Sequence, residues 1–520
     1  MTLQALYEEA LGNHRRGELA AAEQLYRELL AAAPSSFAAR HMLGVLRAQQ
    51  GATQEALELL AEALAQKPDA PDALFNYANV LKGTGRAEEA LAAYDRALAA
   101  RPDYAAAHAA RAELLNRKGN ELREAGRFEE ALGCYDRALA DAPAWPDALN
   151  NRAVALWSMG RFDAALAGLD AALKARPDYV EAHFNRGNVL RDMRRLAEAE
   201  ESFDRAIALD PDFAPAYRNK AFCALLRGDF ALGLPLYEWR KRLTPPIEAR
   251  AFAAPLWTGA KDIKGKTLFL YVEQGLGDTI QFYRFVAPLL ARGARVVLSV
   301  QDSLLALLQG ATPKVTVIGS RETPAAFDTH IPLMSLPLAL GLTVQTIPAP
   351  VPYLQAEPER VKHWRERIGE EGFKIGISWQ GARGGVTSRA MPLSCFAGLA
   401  RLPGIRLISL QKGHGSDQLA GLPQVESLGD AFDADGAFLD SAAIMESLDL
   451  VITLDSALAH LAGALDRPVW VALKQVPDWR WLLDRDTSPW YPGMRLFRQT
   501  SDGDWASVFA QMESRLRDER

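Results

Sequence analysis

Six prolines stand at Pro34, Pro68, Pro102, Pro143, Pro177 and Pro211, and every interval is 34 residues except the 41 between Pro102 and Pro143. A fixed period of that length leaves few folds open. Each unit is long enough for one helical hairpin and too short to bury a core alone, so neighbours must stack into a solenoid.

Other columns keep the same register. Twelve residues before each proline stands Ala22, Ala56, Ala90, Ala131, Ala165 or Ala199. Seventeen before stand Gly17, Gly51, Gly85, Gly126 and Gly160, with Arg194 the exception, and Gly228 continues the series. The glycine closes the first helix (A) of each unit and the proline ends the second (B). Small residues (Ala10, Gly44, Ala78, Gly119, Ala153, Gly187, Ala221) mark close helix crossings. The column Tyr26, Leu60, Tyr94, Tyr135, Leu169, Phe203 and Tyr237 reads as core between hairpins. The seven extra residues after Pro102 are expected to lengthen the A helix of the fourth unit.

Segments such as GRAEEALAAYDRALAARPDY resemble tetratricopeptide repeats, over roughly residues 3–240 as six repeats and a partial seventh. Within them a ladder of amides recurs: Asn76, Asn151, Asn185 and Asn219 in one column, Asn79, Asn120 and Asn188 in another. Such side chains donate to and accept from an extended peptide backbone, or bond to the neighbouring hairpin. The resemblance to repeat arrays of protein glycosyltransferases implies a peptide-binding groove.

The period breaks at LTPPIEARAFAAP, residues 243–255, and strands then alternate with helices. Strands are expected at Thr267–Val272, Arg295–Val300, Lys374–Trp379, Arg406–Leu410, Leu450–Leu454, Val469–Leu473 and Met494–Arg498, an α/β pattern of parallel sheets. The domains expected are repeats over 1–242, a linker over 243–264, and two Rossmann-like lobes over 265–360 and 361–520. Ligands of such sheets bind beyond the carboxyl ends of the strands. There the chain reads EQGLGDT (273–279), WQGARGG (379–385), LQKGHG (410–415), LDSALAH (454–460) and KQVPDWRW (474–481). Gly275 and Gly277 let a backbone approach an anion closely, and Asp278 is either a helix cap or a catalytic carboxylate. Neither the dinucleotide fingerprint nor a phosphate loop with lysine occurs at this turn.

The GLGD turn, the WQG turn and ITLDSALAHLAGAL resemble the GT-B glycosyltransferases of the heptosyltransferase-like class, above all repeat-fused bacterial members such as flagellin glycosyltransferases. The fold implied is an α-solenoid followed by a GT-B domain of two Rossmann-like lobes. Asp278 is then the catalytic or acceptor-orienting acid, and Asp455, Ser456 and His460 contact a nucleotide-sugar donor. Gly275, Gly277, Trp379, Gln380, Gly381, Arg389 and Lys412 complete the donor set, the last cation or Arg389 serving the leaving phosphate. The bland alternatives are caps for Asp455 and Ser456, a core histidine for His460, and loop packing for Trp479, Trp481 and Trp490. Asp433 and Asp435 form a DxD without the context of a metal-binding fold, so no metal and no cofactor beyond the donor is expected.

The implied activity is transfer of a sugar to a hydroxyl of a polypeptide, flagellin being one such acceptor, held by the repeats. Two alternatives stay open: a scaffold whose second half is inactive, and a transferase for a saccharide or lipid acceptor. A net charge of −6 with scattered Lys and Arg excludes the basic stripe of a nucleic-acid binder. Three distant cysteines, acids in the first residues and the lack of a long apolar run point to the cytoplasm without membrane insertion.

Overall fold

The computed structural model describes residues 2–244, 250–381, 390–429 and 431–519. They divide into two compact units, 1–189 and 190–520. Among the described residues no helix is long and apolar enough to cross a membrane.

The first unit is a stack of helical hairpins. Its A helices Leu3–Arg15, Phe37–Gln49, Pro71–Gly83 and Pro146–Ser158 have 13 residues each, and its B helices Leu19–Ala32, Thr53–Gln66, Ala87–Ala100, Phe128–Asp141 and Phe162–Ala175 have 14. The A helix Ala105–Glu124 has 20, so the whole insertion enters one helix. The glycines that close the A helices all lie at φ between 74° and 83°, left-handed backbone that costs glycine nothing. Arg194 takes the same conformation, φ 62°, with a side chain.

The periodic columns are core. Ala22, Ala56, Ala90, Ala131 and Ala165 are fully buried, as are Tyr26, Leu60, Tyr94, Tyr135 and Leu169. The two kinds of column meet: a Cβ at Gly119 would stand 2.5 Å from the Tyr135 ring, and one at Gly44 would stand 2.8 Å from Leu60 Cγ. Ion pairs also close single hairpins, from the end of the B helix back to the start of its own A helix. Arg101 makes a fork on Asp72 at 2.9 and 2.8 Å while stacking on Tyr104, and Arg176 repeats the arrangement on Asp147 and Tyr179.

The second unit starts within the repeats. It carries helices Leu196–Leu209, Ala214–Leu226 and Phe230–Tyr237, the last shortened by Pro235 and tightening into the 3₁₀ turn Glu238–Arg242. Two parallel sheets follow. The first holds β1 (Thr267–Tyr271), β2 (Arg295–Val300), β3 (Val315–Gly319) and β4 (Thr329–Pro332) in the order β3-β2-β1-β4. The second holds β5 (Phe373–Ile377), β6 (Ile405–Ser409), β7 (Val425–Glu426), β8 (Leu450–Leu454), β9 (Val469–Leu473) and β10 (Met494–Arg498) in the order β10-β9-β8-β5-β6-β7. The strands β3, β4 and β7 lie outside the expected set. In β3 buried positions alternate with more exposed ones, β4 ends on Pro332 and β7 has two residues, so their apolar signal is weak.

In each sheet the strand order reverses once, between β1 and β4 and between β5 and β8, and a doubly wound sheet opens a crevice at such a point. The largest buried side chains, Trp379, Trp479, Trp481 and Trp490, gather in this unit.

Candidate functional site

At the reversal of the second sheet the turns after β5 and β8 stand side by side. The first, Ser378–Gly381, is organised by Gln411, a residue that sequence reasoning missed. Its Oε1 accepts from Ser378 Oγ (3.1 Å), the Trp379 N–H (3.1 Å) and the Gln380 N–H (3.0 Å), and its Nε2 donates to the His414 carbonyl (2.8 Å). The only signal for it was its place two residues past β6, in the LQKGHG turn. After β8, Ser456 opens helix Ala457–Ala464 from extended backbone, and its hydroxyl lies 3.1 Å from that of Thr453 rather than on a helix N–H.

Two residues expected to contact the donor have partners within the protein. The Trp379 side chain is fully buried among Ile375, Ile377 and Leu407, with its indole N–H on the Gly415 carbonyl, because apolar area of that size gains most in the core. The Lys412 ammonium donates to the Phe432 carbonyl and lies over the Phe432 ring. Arg389 lies outside the described residues. Of the DxD, Asp433 accepts from the N–H groups of Asp440 and Ser441 and from Ser441 Oγ, and Asp435 pairs with Arg360.

The turn after β1 is gripped from three sides. Gln301, at the end of β2, donates to the Gln274 carbonyl (2.7 Å) and accepts from Thr279 Oγ1 (2.8 Å). Asp278 reaches back with one oxygen to the Gly275 N–H (2.9 Å) and takes Arg480 on the other. Arg480 also pairs with Asp478 at 2.7 Å. Burial works against the Arg480 guanidinium, but the carboxylates of Asp478 and Asp278 outweigh it and hold it protonated. From the repeats come Tyr237, whose hydroxyl accepts from Gln274 Nε2 (2.9 Å), and Arg240, which reaches Glu273 at 2.8 Å.

The two lobes meet where this turn faces His460. A Cβ at Gly277 would stand 3.0 Å from His460 Cδ2 and 3.2 Å from Ala457 Cα, so helix Leu276–Phe282 packs directly on helix Ala457–Ala464. His460 is buried, stacked on Trp481 (14° between planes), with Nδ1 3.1 Å from the Tyr491 hydroxyl. Burial pushes that hydroxyl far up, so it stays a neutral partner. Arg284 rivets the junction by donating to the Trp490 carbonyl (2.6 Å) and the Pro348 carbonyl (3.2 Å) among Tyr353, Trp490 and Tyr491. The buried Trp479, Trp481 and Trp490 serve packing here, with Trp479 edge-on to Phe230 of the last hairpin.

The amides of the repeats bond to neighbouring side chains of the array. Asn76 bonds to His41 (2.9 Å), Asn151 donates to Asn116 (3.1 Å), Asn150 to Asn151 (3.3 Å) and Asn185 to Asn150 (2.9 Å). Asn79 and Asn120 accept from the hydroxyls of Tyr94 and Tyr135. Asn188 and Asn219 are buried, the latter accepting from Arg218 Nε. Of the seven expected amides, Asn76 and Asn79 line a concavity of about 380 Å³ in the first unit with Val45 and Val80, and Asn151 and Asn185 one of about 540 Å³ with Arg123, Arg176 and Tyr179.

The tetratricopeptide repeat family model matches residues 47–114 in one form and 7–71, 116–180, 152–212 and 184–238 in another, so the N-terminal part of the chain consists of these repeats. The chain is 28% identical over 331 residues to a protein named FlbA from Caulobacter vibrioides, a match over 58% of this chain and 54% of that one. The chain thus spans about half the length of the curated relative it matches. Among solved structures it is similar to YrrB, described as a tetratricopeptide-repeat protein with an unusual peptide-binding site, with 21% identity, TM-score 0.30, and coverage of 38% of this chain and 97% of that one. It is also similar to the C-terminal part of a repeat protein from Cytophaga hutchinsonii, with 13% identity, TM-score 0.37, and coverage of 46% and 95%.

Proposed function

We propose that the chain is a GT-B glycosyltransferase that moves a sugar from a nucleotide donor to a hydroxyl of a polypeptide held by the repeats, flagellin being the type of acceptor. One observation carries the reading. The turns that flank the reversal point of the second sheet, Ser378–Gly381 and Asp455–Ser456, are those with the transferase-like motifs, and the helix after the latter meets the GLGD turn at His460 and Gly277. The share of the chain that matches FlbA is larger than residues 1–242 supply, which supports reading both halves as one functional unit.

In this reading the donor lies against the turns after β5 and β8, with Ser456 and the N–H groups that open helix Ala457–Ala464 toward its phosphate. The acceptor hydroxyl attacks the anomeric carbon, the bond from that carbon to the phosphate oxygen breaks, and Asp278 takes the hydroxyl proton. The nucleotide leaves with the electron pair. One displacement of this kind inverts the anomeric centre. Buried thiols at Cys134 and Cys223 suit a reducing cytoplasm.

A rival reading, a scaffold without catalysis, is favoured by the engagement of both Asp278 oxygens. The two are separated by thermal melting of the full chain against a panel of nucleotide sugars. A donor at about a hundred times its dissociation constant adds about 2.7 kcal/mol to stability. We expect one nucleotide class to do so, and Asp278→Asn to keep that shift while losing transfer to polypeptide by about a hundredfold or more. Silence across cytidine, uridine, guanosine and adenosine donors would favour the scaffold. Undiminished transfer by Asp278→Asn would remove Asp278 from the chemistry.

A further inference from the structure

The crevice that the first sheet opens between β1 and β4 is closed from the side of the repeats. Its walls are the turn that begins at Glu273, after β1, and the turn Leu333–Ser335, after β4. Between them lies Arg240, whose side chain is wholly buried. One of its Nη atoms donates to Glu273 Oε2 (2.8 Å) and Ser335 Oγ (2.8 Å), the other to Glu238 Oε1 (2.6 Å) and the Tyr237 carbonyl (3.3 Å). Ser335 Oγ also lies within 2.8 Å of Glu238. The Glu273 side chain is 1% exposed, so the carboxylate that starts the GLGD turn has its cation supplied by the exit of the last repeat. Next to it, Gln274 is tied to Tyr237 of the same exit.

We propose that Arg240 is a positioning residue of the transfer site: it fixes the turn Glu273–Asp278 from beneath, so that the terminal hairpin that ends the repeats also sets where Asp278 stands. The inference rests on the glycosyl-transfer reading. A buried ion pair is weak evidence for stability alone, since desolvation offsets the attraction, whereas a guanidinium fork on two turns and a helix exit fixes geometry in several directions. A reacting group displaced by about 1 Å loses about a hundredfold in rate.

The test uses the full chain and three variants, Arg240→Lys, Arg240→Met and the pair Arg240→Met with Glu273→Gln, which removes both charges. Melting, hydrogen exchange over residues 273–282, donor affinity and transfer rate are read together. For positioning, Arg240→Met transfers about a hundredfold more slowly with donor affinity within about twofold. Exchange over 273–282 rises, the double variant regains the melting temperature without the rate, and Arg240→Lys recovers part of the rate. A double variant that regains rate together with stability would make Arg240 merely structural and overturn the proposal. So would unchanged rate and exchange in Arg240→Met. If the unmodified chain transfers nothing from any donor, the transferase reading itself falls, and the positioning role with it.

Discussion

Gly275 and Gly277 stand two residues apart in one turn and are constrained by different things. Gly275 has ordinary extended backbone, φ −71° and ψ 170°, and the nearest atom to a Cβ there would be Asp278 Oδ2 at 3.4 Å. A Cβ at Gly277 meets a packed imidazole and a helix backbone. Gly277→Ala is therefore expected to cost about 1–3 kcal/mol through overpacking between the lobes, and Gly275→Ala under about 1 kcal/mol. Denaturant midpoints of the two variants decide it. Equal losses would mean that the two helices adjust freely.

Helix Ala105–Glu124 shows how an element absorbs an insertion. Its extra turns carry His108 and Arg111 to Asp141 of the paired B helix, with His108 Nδ1 at 2.5 Å and Arg111 at 2.8 and 2.6 Å, while Arg111 also reaches Asp95. Burial raises the Asp141 carboxyl, but the bonds from Arg111 and His108 win and hold it below the usual range. The Pro102 carbonyl and Asp141 raise His108. The His108 contribution is thus complete below its unfolded value of about 6.5 and is lost as pH rises through the raised folded value. That of Asp141 holds above about 3.9 and is lost as pH falls through the lowered one. Asp141→Asn should cost about 2 kcal/mol at neutral pH and reduce the loss of stability on going above pH 6.5. Hydrogen exchange across residues 105–141 at two pH values measures both, and an unchanged pH slope would detach His108 from Asp141.

The whole chain does not divide where its repeats end. The second compact unit starts at Leu190 and takes in the terminal hairpins, whose Phe230, Tyr237 and Arg240 pack against Trp479, Gln274 and Glu273. A chain beginning at Asp178, ahead of the sixth hairpin, is expected to melt cooperatively. One beginning at Leu243, where the repeat period ends, leaves Glu273 buried without its cation and bares the Trp479 face, and should fail to fold. Protease resistance and near-ultraviolet circular dichroism of the two distinguish these outcomes. A well-folded chain from Leu243 would show that the hairpin is dispensable to the α/β part.

The primary sequence alone determined whatever repeats or runs. The 34-residue period specified the hairpins, the glycine column their left-handed turns, the insertion its long helix, and the apolar stretches seven of the strands. These are local properties, set by spacing and by the backbone freedom of single residues. Which side chains share a neighbour is not local. That Gln411 gathers the turn after β5, that Trp379 is buried while Lys412 rests on Phe432, and that Arg240 and Arg480 converge on one turn from distant parts of the chain, all follow from the tertiary arrangement. Only the folded chain, by burying charges where their partners must come from distant segments, decided them.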